Sequence, residues 1–335
     1  MHMPNEVLTP AVAGGFIAAS AAGLGLAAAG SRRAFQESRV PLMGVMGAFV
    51  FAAQMVNFQI LGATSGHLGG GVLLAILLGP HVAALVMAAI LTVQCLIFND
   101  GGLLALGCNV FNMGLVAPYL GYAVYRLTLG RSEGQKSPGR LYLASFVAAL
   151  VGVAASAAVV PVQISLSGMS AVPFTTFFPL MVGIHLLIGV VEGAMTFAVV
   201  LYLAQVRPEL VDVRVSGRER VSRRAVVASF AVLALLVGGL LSLVASELPD
   251  GLDYLVHDKK FARHAESEEA VDPTMARVSA WQKRNAPLPD YSAGEKSPAY
   301  WTSIAGVLGS VATLGVVYGI AVVLRRRRPA PRPSD

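Results

Sequence analysis

Long apolar windows that carry almost no charged side chain are the feature that most constrains how this chain can fold. The chain has 335 residues, and its 25 Lys and Arg and 19 Asp and Glu are concentrated in a few short stretches. Because roughly 20 apolar helical residues cross a bilayer core about 30 Å thick, the windows predict membrane spans. The predicted spans are residues 9–30, 40–62, 68–79, 81–98, 103–125, 141–165, 178–204, 225–246 and 300–324.

The overall composition agrees with this interpretation. Hydrophobic residues make up 55% of the chain and charged residues 13%, whereas soluble domains have about 45–50% and about 25%. These values exclude a disordered chain, a coiled coil and a cytosolic enzyme. The two cysteines, Cys95 and Cys108, are too few for a disulfide scaffold or a Cys-rich metal site. The sequence therefore predicts an all-α polytopic membrane protein.

The charge of the connecting segments predicts how the spans are oriented, since cytoplasmic loops are enriched in Lys and Arg. Basic residues outnumber acidic ones in segments 32–39, 126–140 and 207–224 and in the arginine run at 325–328. This pattern puts the N-terminus outside the cell and the C-terminus in the cytoplasm, as nine crossings require. Segment 68–79 is short and rich in glycine, so it is predicted as either a tilted crossing or a re-entrant segment. Because topology explains the net charge of +6, no nucleic-acid partner is expected.

The basic segment 207–224 divides the chain into two modules. Residues 1–206 are predicted to form a seven-helix membrane domain, and residues 225–335 a two-helix module joined to it by this cytoplasmic linker. Between the last two predicted spans lies an external segment, 247–299, that is rich in proline and polar residues. It is predicted to be a short ordered loop rather than a folded domain. Within the last span, Gly315 and Gly319 have the spacing of a helix-contact face.

The first two residues carry a set of nitrogen atoms that suits a metal ion. No Lys or Arg precedes Arg32, so the basic start of a cleavable signal peptide is missing and Met1 is expected to begin the mature chain. Met1 is also expected to be retained because the next residue, His2, is not small. The terminal amine, the His2 amide nitrogen and a ring nitrogen of His2 then close fused five- and six-membered chelate rings on one metal. Nitrogen ligands in a square plane suit Ni(II) or Cu(II).

His67 is the candidate for the fourth ligand. It lies in a glycine-rich stretch, 64–71, just beyond the predicted outer end of the second span, so it is expected on the same membrane face as the N-terminus. Glycine allows the backbone to approach an ion closely and to adopt positive φ angles. The alternative is that His2 lies on a frayed terminus and that His67 is a loop histidine with a local hydrogen bond.

Two further polar residues lie in a predicted span. Glu192 is the one formally charged residue within the predicted spans, and an ionisable group at that depth is a functional candidate. His185 lies seven residues earlier, two turns away on the same helix face. The two residues form either a secondary ion relay or an interior polar pair that fixes helix packing or the contact with a partner subunit. The second interpretation is favoured because the pair lies well below the outer pocket.

Several stretches of the sequence resemble the CbiM/NikM family, the substrate-capture components of energy-coupling-factor transporters for cobalt and nickel. The stretches are Met1-His2, Ser-Gly-His-Leu-Gly-Gly at 65–70, Asn-Asp-Gly-Gly at 99–102, Leu-Gly-Cys-Asn-Val-Phe-Asn-Met at 106–113 and His-Leu-Leu-Ile-Gly-Val-Val-Glu-Gly at 185–193. This resemblance covers about residues 1–205. The module from 225 to 324 is similar to the companion CbiN/NikN-type subunit through Pro-Asp-Gly-Leu-Asp at 249–253, although the family usually has Glu at the position of Asp253.

The resemblance implies a bundle of seven transmembrane helices with the N-terminus threaded into it from outside, in the cell membrane of a bacterium or archaeon. It also implies a transported Co²⁺ or Ni²⁺ bound by the Met1 amine, the amide and ring of His2 and the ring of His67, with no resident cofactor. The companion's external loop is implied to help load the metal. The implied partners are a transmembrane coupling subunit and a pair of cytoplasmic ATPases.

Other functions are weighed against an importer component. Residues 130–137 look like a phosphate-binding loop but have the wrong spacing between the glycines and the lysine, so no nucleotide site and no enzyme activity are expected. A secondary metal permease would carry a His-x-x-x-x-Asp helix motif, and a membrane metal sensor would carry a signalling domain or a catalytic pair. Neither signature occurs in the predicted spans. Cobalt and nickel are expected equally, and copper is favoured by affinity alone.

Overall fold

The structure is a computed structural model. It describes residues 2–31, 40–60, 64–130, 136–169, 172–211, 221–246, 248, 250–252, 271–294 and 297–326. Several features on which the predictions rest therefore lie outside the described residues. They are Met1 with its amine, the basic segment 32–39, residues 131–135 of segment 126–140, residues 212–220 of the basic linker, Asp253 and the tail from residue 327.

The described residues confirm an all-α membrane protein. Its helices are α1 (Pro10–Ser31), α2 (Val40–Gln54), α3 (Gly71–Leu78), α4 (Pro80–Phe98), α5 (Leu106–Asn109), α6 (Ala117–Leu129), α7 (Pro138–Leu166), α8 (Phe174–Val206), α9 (Pro208–Val211), α10 (Arg223–Gly239), α11 (Pro273–Asn285) and α12 (Tyr300–Arg326). A π-helical segment, Val110–Val116, joins α5 to α6. Among the described residues, six helices are long and apolar enough to cross a membrane, and α2 is a shorter apolar helix.

Two helices, α7 and α10, begin before the apolar windows predicted for them, because a polar residue caps the start of each. The Ser137 side chain accepts a hydrogen bond from the Arg140 backbone N–H (3.2 Å), and Pro138 occupies the first turn of α7. Ser222 caps α10 in the same way through the N–H of Ala225 (3.1 Å). A serine oxygen satisfies one of the N–H groups that the first turn of a helix leaves without a partner. Hydropathy does not register such caps, so these two helices begin two or three residues before the predicted spans.

The second span is shorter than the prediction. It was predicted to continue to residue 62, but α2 ends at Gln54 and the chain then forms two antiparallel strands, β1 (Phe58–Ile60) and β2 (Thr64–Gly66). The apolar window continued past the helix because β1 contains large apolar side chains, although its backbone is paired with β2. This hairpin turns the chain back toward the bundle and leads directly into His67.

The third predicted span is a helix of only eight residues, α3. At 1.5 Å per residue it rises about 12 Å, which is less than half of a bilayer core. Gly79 ends it with φ 85° and ψ 152°, and Pro80 begins α4. Every residue of α3 is buried, and the helix packs against α4 and α6. Segment 68–79 therefore contains a short buried helix. The count of seven spans in the first module stays a prediction.

The C-terminal module packs against the first module along α2. Helices α10 and α12 both lie against α2 and against each other. Gly306 of α12 touches the backbone of Gly238 in α10, and a Cβ on Gly309 would overlap the ring of Phe51 in α2. Gly315 and Gly319 contact no other described helix of this chain, because no heavy atom lies within 4 Å of a Cβ built on either, so their role as a contact face stays a prediction. The close contact is made two to three turns nearer the start of α12.

Segment 247–299, which was predicted to be an external loop, contains more regular structure than predicted. Its described part forms the 13-residue helix α11, whose start is capped by the Asp272 carboxylate through the N–H groups of Thr274 (2.7 Å) and Met275 (3.4 Å). Met275 and Gln282 are buried, whereas most of the other α11 side chains are not. Because only one narrow stripe of α11 is buried, its mean hydropathy is low. A search for long apolar windows therefore does not detect this helix.

We expect Gly309→Val to destabilise the protein, since the added side chain would displace α12 from the ring of Phe51. Overpacking of this kind costs about 1–3 kcal/mol. The free energy of unfolding, or the thermal midpoint in detergent, is the measurement. Gly315→Val on the same helix is the matched control, because its Cβ would meet no neighbour within 4 Å. Equal stability of the two variants would contradict the packing described here.

Candidate metal centre

A large polar cavity lies at one end of the bundle, between the two modules. Its volume is about 940 Å³. The first module contributes, among others, His2, Asn5, Gln54, His67 and Asp100, and the C-terminal module contributes Leu248, Asp250, Gln282, Asp290 and Tyr291. Both modules therefore form its walls.

His2 and His67 lie side by side in this cavity. Their ring centroids are 5.0 Å apart and the two rings are inclined by 23°. His67 is 8% exposed, and the side chain of His2 is 6% exposed. Two imidazoles from distant parts of the chain are thus brought together and shielded from solvent. Met1, the third residue of the predicted ligand set, lies outside the described residues.

The N-terminal segment is held in the cavity by hydrogen bonds to its backbone. The Asn109 side chain accepts from the Met3 N–H (2.8 Å) and donates to the Met3 carbonyl (3.2 Å). The same carbonyl accepts from the N–H of Gly102 at 2.9 Å. Asn5 accepts from the N–H of Leu104 at 2.8 Å. The terminus is therefore not frayed from His2 onward, and the position of His2 is fixed by its neighbour Met3.

Both ring nitrogens of His2 face oxygen atoms. Nδ1 lies 3.2 Å from Oδ1 of Asp100, and Nε2 lies 3.1 Å from Oε1 of Gln94. The other carboxylate oxygen of Asp100 accepts a hydrogen bond of 2.5 Å from the Tyr291 hydroxyl. The Tyr291 ring stacks on Phe98 with centroids 4.6 Å apart. The C-terminal module therefore reaches the histidine through the carboxylate of Asp100.

A second contact from the C-terminal module supports the same region. Oε1 of Gln282 in α11 accepts from the N–H of Leu103 at 2.7 Å, and its Nε2 donates to the carbonyls of Gly101 (2.8 Å) and Cys95 (3.0 Å). Asn5 donates to the Ser279 hydroxyl at 3.0 Å. Helix α11 thus holds both the N-terminal segment and the loop that follows α4.

His67 follows β2, and its ring is oriented by its own backbone. Nδ1 lies 3.1 Å from the carbonyl oxygen of Leu68. A carbonyl oxygen only accepts, so Nδ1 carries the hydrogen in this contact and Nε2 carries the lone pair. This is the arrangement by which proteins commonly orient a metal-binding histidine.

The glycines after His67 are required by close packing. Gly70 has φ 72°, and a Cβ there would overlap the side chain of Val50. The N–H groups of Gly69 and Gly70 donate to the two oxygens of Glu192 at 2.6 and 3.0 Å. The carboxylate in α8 thereby fixes the loop that carries His67.

Glu192 and His185, the two predicted intramembrane polar residues, have different partners. Glu192 is 2% exposed and is bonded to the glycine loop, as described above. His185 is also 2% exposed, and its Nδ1 lies 2.8 Å from the carbonyl oxygen of Met181, one turn earlier in α8. His185 and His67 also line a second, small cavity together with Asp250. These contacts give Glu192 a structural role and leave the role of His185 as a prediction.

Burial sets the protonation of the two site histidines. It lowers the pKa of His2, although the Asp100 carboxylate opposes this effect. Burial also lowers the pKa of His67 well below its usual range. For Tyr291, burial and then the charge of Asp100 raise the pKa well above its usual range, so the hydroxyl keeps the proton that it donates. Neutral imidazole is the form that binds a metal ion.

The described residues contain no group of three or more His, Cys, Asp or Glu side chains arranged to hold a metal ion. Three residues around the site, Gln54, Gln94 and Tyr291, were not predicted from the sequence. Gln54 and Gln94 are polar residues within otherwise apolar windows, and this pattern could have marked them as candidates for the site. No comparable pattern in the sequence marks Tyr291.

The chain matches the family model of the cobalt uptake substrate-specific transmembrane region over residues 2–210 and the PDGLE domain over residues 224–326. It is 33% identical to a putative fused nickel transport protein, NikMN, of Archaeoglobus fulgidus, covering 96% of this chain and 98% of that protein. It is 32% identical to the cobalt transport protein CbiM of Geobacter sulfurreducens, covering 82% and 80%.

A solved structure gives the same result over part of the chain. The crystal structure of a truncated transition metal transporter matches with a TM-score of 0.53 and 34% identity, covering 61% of this chain and 98% of that one. These matches confirm the resemblance drawn from the sequence motifs. The chain belongs to the cobalt uptake substrate-specific transmembrane family, and it is a multi-pass membrane protein of cobalt and nickel transport with a PDGLE domain in the same polypeptide.

Proposed function

We propose that this chain captures Co²⁺ or Ni²⁺ on the outer face of the membrane for an ATP-driven importer. The ligands are the Met1 amine, the amide nitrogen and Nδ1 of His2, and Nε2 of His67. The observation that carries the proposal is the pairing of the His2 and His67 rings at 5.0 Å in a shielded polar cavity.

The separation of the rings suits two ligands of one ion. A metal lies about 2.0 Å from a ligating imidazole nitrogen, so two imidazoles at neighbouring corners of a square have centroids separated by about 4–5 Å. Only Nδ1 of His2 closes a six-membered ring with the amide nitrogen of the same residue. His67 then occupies the corner opposite that amide nitrogen.

The charges around the cavity favour a cation. Asp100, Asp250 and Asp290 line it together with one lysine, Lys283, which lies 3.9 Å from Asp290. Asp100 also contacts His2, so it lies close to an ion at that ring and offsets part of its charge. A polar cavity lined with carboxylates attracts hydrated cations from solution.

The energy for transport comes from other subunits in this proposal. The family resemblance supports a transmembrane coupling subunit and a pair of cytoplasmic ATPases as partners. The spacing at 130–137 does not fit a nucleotide-binding loop, which agrees with ATP hydrolysis on a separate polypeptide. The positive charge of segments 126–140 and 207–224 supports an external N-terminus and a cytoplasmic C-terminus.

We expect His2→Ala and His67→Ala each to reduce metal affinity by at least a hundredfold while the fold is retained, because each removes one corner of the square. Isothermal titration of the purified full chain with Ni²⁺ and with Co²⁺ is the measurement. His81→Ala is the control, since His81 bonds Tyr119 (2.7 Å) and does not line the cavity. Intact-mass spectrometry of the same samples checks that Met1 is present and unblocked. Wild-type affinity in either site variant would refute the ligand set.

We expect Tyr291→Phe to weaken metal binding by about tenfold, since loss of an outer hydrogen-bond partner commonly costs 10–100-fold in metal affinity. The variant keeps the stacking on Phe98 and removes only the hydroxyl that holds Asp100. The affinity for Ni²⁺ is compared with that of Tyr122→Phe, which alters a tyrosine outside the cavity. Affinities equal within twofold would show that the C-terminal module does not act on the site through Asp100.

We expect Glu192→Gln to destabilise the protein even without metal. The amide nitrogen would face a backbone N–H of Gly69 or Gly70, and a buried N–H left without an acceptor costs about 1–3 kcal/mol. Thermal unfolding of the metal-free protein separates this role from that of an ion relay. A relay residue would alter transport and leave the metal-free midpoint unchanged.

A further inference from the structure

Two buried glutamines connect His2 to the loop that follows His67 through an unbroken series of hydrogen bonds. Nε2 of His2 lies 3.1 Å from Oε1 of Gln94. Gln94 donates through Nε2 to Oε1 of Gln54 at 2.9 Å, and Gln54 donates through Nε2 to the carbonyl oxygen of Gly69 at 2.7 Å. Gln94 is fully buried and Gln54 is 3% exposed. The series begins at one proposed ligand and ends two residues beyond the other.

The direction of this series is fixed by its last member. The Gly69 carbonyl oxygen can only accept, so the Gln54 amide must present its nitrogen to Gly69 and its oxygen to Gln94. Gln94 must then present its nitrogen to Gln54 and its oxygen to His2. An amide oxygen accepts only, and the hydrogen between Gln94 and His2 therefore lies on Nε2 of the imidazole.

The consequence concerns which nitrogen of His2 faces the metal. With the hydrogen on Nε2, the lone pair of the neutral ring is on Nδ1, the atom that closes the six-membered chelate ring. Oδ1 of Asp100, 3.2 Å from Nδ1, competes with this assignment in the metal-free protein, because a carboxylate only accepts and favours a hydrogen on Nδ1. A metal ion at Nδ1 takes the place of that hydrogen. We infer that Gln94 and Gln54 are positioning residues that hold His2 in the tautomer required for metal capture. This inference rests on the proposed function, because it assigns Nδ1 of His2 as a ligand.

The same series also fixes the distance between the two histidines. The Gly69 peptide is held on one side by Gln54, which donates to its carbonyl, and on the other by Glu192, which accepts from its N–H. Gly69 lies two residues after His67, so a shift of Gln54 moves the His67 loop together with the partner of His2. The two glutamines therefore set the orientation of one ligand and the location of the other.

The test is a titration of the full chain with Ni²⁺ for Gln94→Met, Gln54→Met and the double variant. Methionine fills a similar volume and has no amide. Outer partners of metal ligands commonly contribute 10–100-fold to affinity, so we expect a loss of about tenfold for Gln94→Met. The double variant should lose little more than Gln94→Met, since both substitutions interrupt one series and their effects are not additive.

Thr92→Val is the matched control for helix α4. It removes a hydrogen bond of 2.7 Å to the carbonyl of Ala88, two residues from Gln94, and does not alter the series. Its affinity should equal that of the wild type. Thermal midpoints show whether each variant is folded, and if Gln94→Met does not fold, Gln54→Met carries the test.

A spectroscopic readout separates positioning from general packing. In Ni²⁺-loaded protein with ¹⁵N-labelled histidine, the His2 ring of the wild type should show a slowly exchanging N–H signal at Nε2. Gln94→Met should lose this signal through solvent exchange, and Thr92→Val should keep it. Affinity and signal both unchanged in Gln94→Met would overturn the inference. If His2→Ala itself kept full affinity, the proposed function would fail first, so the two failures are distinguishable.

Discussion

A backbone segment that enters the mouth of a helix bundle must find a partner for each N–H and C=O that it buries. The N-terminal segment meets this requirement at Met3, whose N–H and carbonyl are both bonded by Asn109 and whose carbonyl is also bonded by Gly102. His2 is placed by this anchor, and its pairing with His67 follows from it. The candidate site therefore depends first on an asparagine that binds no metal.

The polar groups of the site form one connected set inside a largely apolar bundle. Low local dielectric strengthens each hydrogen bond and makes each unpaired group costly, so a connected set is rigid when it is complete. Glu192 contributes by accepting two glycine N–H groups, and Asp100 contributes by joining Tyr291 to His2. An apolar lining would leave the histidine rings free to rotate.

The sequence predicted the membrane class and most of the spans, because hydropathy over 20 residues is a strong and additive signal. It also predicted that His2 and His67 lie on the same face, and the structure brings their rings to 5.0 Å from each other. It did not predict that α2 would end at Gln54, because β1 is as apolar as a helix and the pairing of β1 with β2 is a non-local interaction. The glutamines were missed for a related reason. A buried amide has no titratable signature, and its role depends on partners 40 and 92 residues away in the chain.

The cavity takes one wall from each module, and both modules are parts of one polypeptide. As separate subunits they would meet by lateral diffusion, and the fraction of complete cavities would vary with the amount of each subunit. When the two modules are joined in one chain, the second module is present at an effective concentration on the order of millimolar. This concentration is independent of expression level. Dilution of the protein in the membrane would then leave Gln282 and Tyr291 in contact with the first module, so that each pair of histidines keeps its own second wall.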